Sequence, residues 1–143
     1  MEEFLSENGV LIGLVVLLAV VAYGLPLYVK HVRSRSWLTH GEKLKYEAHW
    51  IMIMREKDLR HAVMDADKLV DELLMKKGYQ GSFGDKLKSE SAKAIFTDYN
   101  GLWTAHKLRN RLAHELGMKL QADEARLALT QFGRALKDLG IKT

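Results

Sequence analysis

Arg109, Asn110 and His114 are the residues of this chain whose types and spacing could do chemistry. Arginine carries a permanent charge and a planar fork that grips phosphate through two donors. Histidine is the side chain best suited to moving protons near neutral pH. Together they form a minimal set for cleaving RNA without a metal. His114 would take the proton of a ribose 2′-hydroxyl or protonate the leaving oxygen, and Arg109 would stabilise charge developing on the phosphate. The need for a 2′-hydroxyl makes RNA, and not DNA, the substrate.

Spacing limits how such a site is built. On an ideal helix Asn110 and His114, four residues apart, share a face, whereas Arg109 stands about 140° around from His114. One helix therefore aims both groups at one phosphate only if the Arg stem swings back or a second protomer supplies the other group, so a homodimer is expected. His106 lies on the same stripe through Asn110. It is read as a cleft-lining binding residue together with Lys107, Arg111 and Asp67, the last an acid amid apolar neighbours that could orient Arg109. His106 and His114 lie about 12 Å apart along the helix, too far to share an ion, so no metal or other cofactor is called for. The same residues also have a structural reading: Asn110 as a cap, Arg109 paired with Asp67 or Asp71, and His114 closing a helix C-terminus, where a cation is favoured.

The elements that must position these groups are helical. The chain has 143 residues, 48% of them apolar, a single proline (Pro26) and no cysteine. The last point excludes disulfides, thiolate zinc sites, lipoprotein anchors and palmitoylation. Thr39 and Glu42 read as a capping box that opens a helix to about Met54, with Leu44, Ala48, Ile51 and Met52 on one face. Met52, Met54 and Met64 read as core filler. Leu59, Ala62, Val63, Ala66, Leu69, Val70, Leu73 and Leu74 repeat at helical spacing, and Gly78 marks the stop. A short helix is expected over about Asp85–Phe96, the motif helix over about Leu102–Glu115 with Asp98 in a turn or cap before it, and a last helix over about Ala122–Leu139 ended by Gly140. The fold class is all-α, an antiparallel bundle of four main helices plus a short one.

Ahead of the bundle runs an uncharged apolar stretch, Val10–Val29. Twenty helical residues span roughly 30 Å, the hydrocarbon thickness of a bilayer. The sequence therefore predicts an extracytoplasmic leader at 1–9, a transmembrane helix at 10–29, a basic linker at 30–38 and a cytoplasmic bundle at 39–143. Lys30, Arg33 and Arg35 set that single-pass orientation in the cell membrane, N-terminus out, and Trp37 is expected at headgroup level. Gly9 and Gly13 have the four-residue spacing of a helix-pairing face. All basic residues follow the apolar run, leaving the rest of the chain at net +7 (22 basic against 15 acidic residues). Such a balance suits nucleic acid or an anionic lipid surface, or simply gives a solvated mixed-charge surface.

The residues from about Asp58 to Leu139 resemble a family. The resemblance rests on Ala66-Asp67-Lys68-Leu69 with Asp71, on Gly78-Tyr79-Gln80-Gly81, on Gly84-Asp85-Lys86-Leu87, and above all on Leu102-Trp103 leading into Ala105-His106-Lys107-Leu108-Arg109-Asn110 and Ala113-His114-Glu115. In this order they are similar to the HEPN superfamily of helical bundles, in particular to small bacterial members, some of which carry an N-terminal membrane helix. The resemblance implies a dimer cleft at which Arg109 holds phosphate, Asn110 is its polar neighbour and His114 does acid–base work in a metal-independent endoribonuclease. Other members keep the fold and bind partners without cutting. A toxin subgroup has tyrosine two positions after the histidine; Leu116 stands there in this chain, so self-inactivation through that tyrosine has no support. Partners under these readings are the lipid bilayer, RNA, a second copy of the chain and, for a non-catalytic scaffold, an unidentified protein.

Overall fold

The computed structural model describes residues 2–24 and 37–143, with side chains left out at 2–8, 10 and 11. By contacts the chain divides into two compact units, Met1–Trp37 and Leu38–Thr143.

In the first unit, α1 spans Glu2–Ala19 and passes into a π-helical turn at Val20–Gly24. Here the structure corrects the sequence expectation. No helix among the described residues is long and apolar enough to cross a membrane. The physical reason lies in how the run is used. The first turns of α1 hold Glu2, Glu3 and Glu7, so only Val10–Ala19 of the apolar run lies in α-helical geometry. That is about 15 Å, half of a hydrocarbon layer. The π-helical turn then ends the regular helix, and residues 25–36 of the run and of the basic linker lie outside the described residues. The single-pass anchor, the N-out orientation, the cytoplasmic placement of the bundle and the headgroup position of Trp37 fall with the span.

The second unit is all-helical among its described residues. Its long helices are α2 (His40–Arg55), α3 (Leu59–Lys76), α6 (Tyr99–His114) and α7 (Ala122–Asp138); α4 (Phe83–Lys88) and α5 (Glu90–Lys93) are short. Chain-adjacent long helices run antiparallel. Tyr46 of α2 donates to Glu72 of α3 at 2.9 Å, Arg60 of α3 donates to the Leu112 carbonyl of α6 at 2.6 Å, and Arg111 of α6 approaches Glu124 of α7 at 3.9 Å. Helix α7 packs along both α3 and α6. The predicted short helix at 85–96 is two pieces, because Ser89 ends α4 and caps α5 by accepting from the Ala92 N–H at 3.2 Å.

Local chemistry sets the boundaries. Thr39 and Glu42 form the expected capping box, and Ser82 and Asp85 form a second one that opens α4. Gly78 and Gly140 take φ of +104° and +89° two residues beyond the ends of α3 and α7. Behind them Tyr79 and Ile141 N–H groups reach back to the Leu74 and Leu136 carbonyls, each at 3.0 Å. This closes orphan carbonyls as a left-handed terminus does, and glycine takes that conformation without a Cβ clash.

The core is the expected stripe of α3, buried throughout apart from a half-buried Leu59, together with Ala125, Ala128, Leu129, Phe132, Leu136 and Leu139. Burying one such Leu or Phe contributes about 1.5–3 kcal/mol. Helix α2 departs from expectation. Tyr46, Trp50 and Ile53 face the core, while Leu44, Ala48, Ile51, Met52 and Met54 are exposed. The helix carries two apolar stripes at legitimate helical spacing, and the aromatic one wins because Trp50 has a matching hollow. A Cβ at Gly133 of α7 would stand 3.1 Å from Trp50 Cζ2, so the missing side chain is where the indole packs.

Candidate functional site

Helices α3 and α6 cross-register so that Asp67 lies beside His106. On α6, Tyr99, Trp103, His106 and Asn110 recur at three and four and so share one face. Asp67 holds the core-facing side of α3 and its side chain is 4% exposed. A buried carboxylate needs partners, and it has two. His106 Nδ1 lies 2.7 Å from Oδ1, and Arg109 Nε lies 3.2 Å from Oδ2. The Arg109 approach is ionic only: Nε is buried and outside hydrogen-bond geometry. Arg109 Nη1 donates to Asn110 Oδ1 at 3.1 Å, and Asn110 Nδ2 stands 3.1 Å from His106 Nε2. The four side chains thus close a ring: Asp67, His106, Asn110, Arg109 and back to Asp67.

The carboxyl of Asp67 is pushed above its ordinary range by burial, against the opposing pull of the hydrogen bond and charge of His106 and the charge of Arg109. Around this ring lies a cleft of about 540 Å³, whose lining includes Lys68, Ser82, Gly84, Lys88, Trp103 and Asn110. Aromatic edges clamp His106. Phe83 meets it edge-on at 4.7 Å between ring centroids and Trp103 at 5.8 Å. Trp103 is itself fixed, since its Nε1 donates to the Tyr99 hydroxyl, which donates to the Leu87 carbonyl at 3.0 Å. Gly84 leaves the cleft open at the imidazole: a Cβ there would sit in ordinary contact, 3.7 Å from His106 Nε2.

The structure therefore brings Asp67, His106, Arg109 and Asn110 together and leaves three other sequence-identified residues elsewhere. His114 is exposed in the last turn of α6. Its stripe continues past the helix that covers it: Arg60, near the start of α3, binds the Leu112 and Met118 carbonyls, so α3 offers only its N-terminus at the level of residue 114. Lys107 and Arg111 line a separate groove of about 360 Å³ between α6 and α7. Arg111 there approaches Glu115 at 3.6 Å. Sequence reasoning missed the contributions of Lys68, Phe83, Gly84 and Lys88. Except for Lys68, which stands on α3, their signal was the Ser82 to Asp85 capping box, which turns the glycine-rich stretch into the first turn of α4 and lays it over His106. Among the described residues no group of three or more His, Asp and Glu is placed to hold a metal ion.

The cleft offers a guanidinium held in place, a clamped imidazole, an aromatic edge and two lysines. This set suits an anionic, partly aromatic ligand. No family model matches the chain, and no curated protein and no solved structure matches it, so the reading of the cleft rests on its own geometry.

Proposed function

We propose that the bundle is a HEPN-like, metal-independent endoribonuclease that acts as a homodimer. The observation that carries this reading is the state of Arg109. Its side chain is 30% exposed at the cleft, Nη1 is held by Asn110 and Nε lies against the buried Asp67 carboxylate. A guanidinium fixed in this way loses less freedom on gripping a phosphate than a free surface arginine does. His114, exposed at the end of the same helix, is accessible to the cleft of a second protomer.

In the reaction the ribose 2′-oxygen attacks its adjacent phosphorus, and the bond to the 5′-oxygen of the next nucleotide breaks. His114 of one protomer accepts the 2′-hydroxyl proton, and His114 of the other gives a proton to the departing 5′-oxygen. The products are a 2′,3′-cyclic phosphate and a 5′-hydroxyl. Arg109 stabilises the charge on the non-bridging oxygens.

The test incubates the full chain with mixed RNA and a chelator, beside Arg109→Ala and His114→Ala. Cleavage with cyclic-phosphate ends is expected of the native chain, and losses of about 10²–10³ for Arg109→Ala and 10²–10⁴ for His114→Ala. Mixing the two inactive variants should not restore the activity, since the reaction uses His114 of both protomers and a mixed dimer keeps only one. Equal cutting of DNA, or cleavage indifferent to both substitutions, defeats the proposal.

A second reading, a non-catalytic interaction module, is favoured by the exposed Leu44, Ile51, Met52 and Met54 of α2. It expects no RNA cleavage, and a partner or self-association lost in Ile51→Lys.

A further inference from the structure

The hydrogen-bond order of the ring carries information beyond its composition. Arginine only donates, so the Asn110 atom 3.1 Å from Arg109 Nη1 must be the acceptor Oδ1. That turns the Asn110 amide nitrogen, a donor, toward His106 Nε2 at 3.1 Å. His106 Nε2 must then offer its lone pair, which places the ring proton on Nδ1. There it donates to Asp67 Oδ1 at 2.7 Å. Each link fixes the next, and every link fails if the order is reversed at any one of them. His106 is consequently not a free base facing the cleft, because its one lone pair is taken by Asn110.

We propose that His106 is a positioning residue: held by Asp67, it orients Asn110, and through Asn110 it fixes the Arg109 fork that receives a phosphate of single-stranded RNA. The inference rests on the ribonuclease reading for its ligand but not for its geometry. Phe83 and Trp103, edge-on to the imidazole, hold the ring in the plane this relay requires. The role differs from proton transfer in a way that substitution resolves. Glutamine at 106 can present a carbonyl oxygen to Asn110 and an amide N–H toward Asp67, so it can carry the relay. It cannot exchange a proton with substrate near neutral pH.

The experiment uses the full, ¹⁵N-labelled chain with His106→Ala, His106→Gln and Asn110→Ala. Asn110 is half-buried at the cleft, so its truncation spares the core if His106→Ala unfolds the bundle. Long-range imidazole ¹H–¹⁵N correlation reads the His106 tautomer, the Arg109 Nε–H resonance reads the order of the guanidinium, and anisotropy reads affinity for a short single-stranded 2′-O-methyl RNA that cannot be cleaved. The expected result is an Nδ1-protonated ring in the native chain. The Arg109 resonance should be lost, and affinity lowered by about tenfold or more, in the two alanine variants. Both should be kept in His106→Gln. A native ring protonated on Nε2 overturns the proposal. So does an Arg109 resonance unchanged in Asn110→Ala, or a folded His106→Gln as impaired as an alanine variant. If the native chain does not bind the RNA, the ribonuclease reading fails, while the two resonances still decide whether His106 positions Arg109.

Discussion

The middle of α6 and its last turn carry a histidine on the same helical stripe, in opposite environments. His106 is 6% exposed, clamped by two aromatic rings and bonded on both ring nitrogens. His114, two turns on, is exposed. The difference is made by what lies opposite. Asp67 and the first turn of α4 cover position 106, whereas α3 begins at Leu59, opposite the end of α6. One residue type on one stripe is thus committed to structure where it is covered and left exposed where it is not.

Removing the buried partner is the strongest way to break this comparison. Asp67→Ala strands the His106 Nδ1–H and the Arg109 guanidinium, and about 3–5 kcal/mol of stability should be lost on breaking a buried pair. His114→Ala should stay within about 0.5 kcal/mol, as exposed substitutions do. Urea unfolding of both variants measures the contrast, and equal effects would erase it.

Two helical glycines, Gly133 of α7 and Gly84 of α4, give a second contrast. Gly133→Ala puts a methyl against the Trp50 ring and should cost about 1–3 kcal/mol by overpacking. Gly84→Ala, whose methyl finds ordinary contact distances beside His106, should leave the melting temperature nearly unchanged.

Acid titration separates two carboxylates of opposite sign. The folded-state value of Asp67 is raised by burial, so the pH-dependent part of its contribution to stability is complete below the ordinary carboxylate value and is lost as pH rises through the folded value, leaving the part that comes from its buried partners. Glu42 is lowered to about 2 by its hydrogen bonds to Lys76 and Thr39, so its contribution is present above its unfolded value and is lost as pH falls toward about 2. Between about pH 2 and 4, the stability advantage of the native chain over Glu42→Gln should grow with pH. The advantage over Asp67→Asn should shrink as pH rises above about 4. Melting curves across pH read both differences, and slopes of the same sign would contradict the assigned environments.

The smallest effect is expected on the exposed stripe of α2. Met52→Lys should change stability by no more than about 0.5 kcal/mol, and a larger loss would mean that this face is covered in solution.

Much of the bundle was legible in residues alone. The stripe of α3 and that of α7 have one apolar face each, so spacing names the buried side without reference to a neighbour. Gly78, Gly140, Asp98 and the Thr39 to Glu42 box mark termini through interactions closed within a few residues. The face that α2 buries was not legible, because two stripes satisfy the same period and the choice belongs to the space over Gly133 on another helix. The apolar run was misread for a related reason. A count of uncharged residues assumes one unbroken helix, and the regular helix ends at Ala19.

The sequence by itself determined the helical class, most of the core and the residue types of the site, since these follow from periodicity, caps and side-chain chemistry. Only the tertiary structure decided which of them meet. Asp67 and His106 are 39 residues apart in sequence, and their bond depends on the register between α3 and α6, which no local interaction specifies. The same register exposes His114, because where one helix stops covering another is a property of their packing.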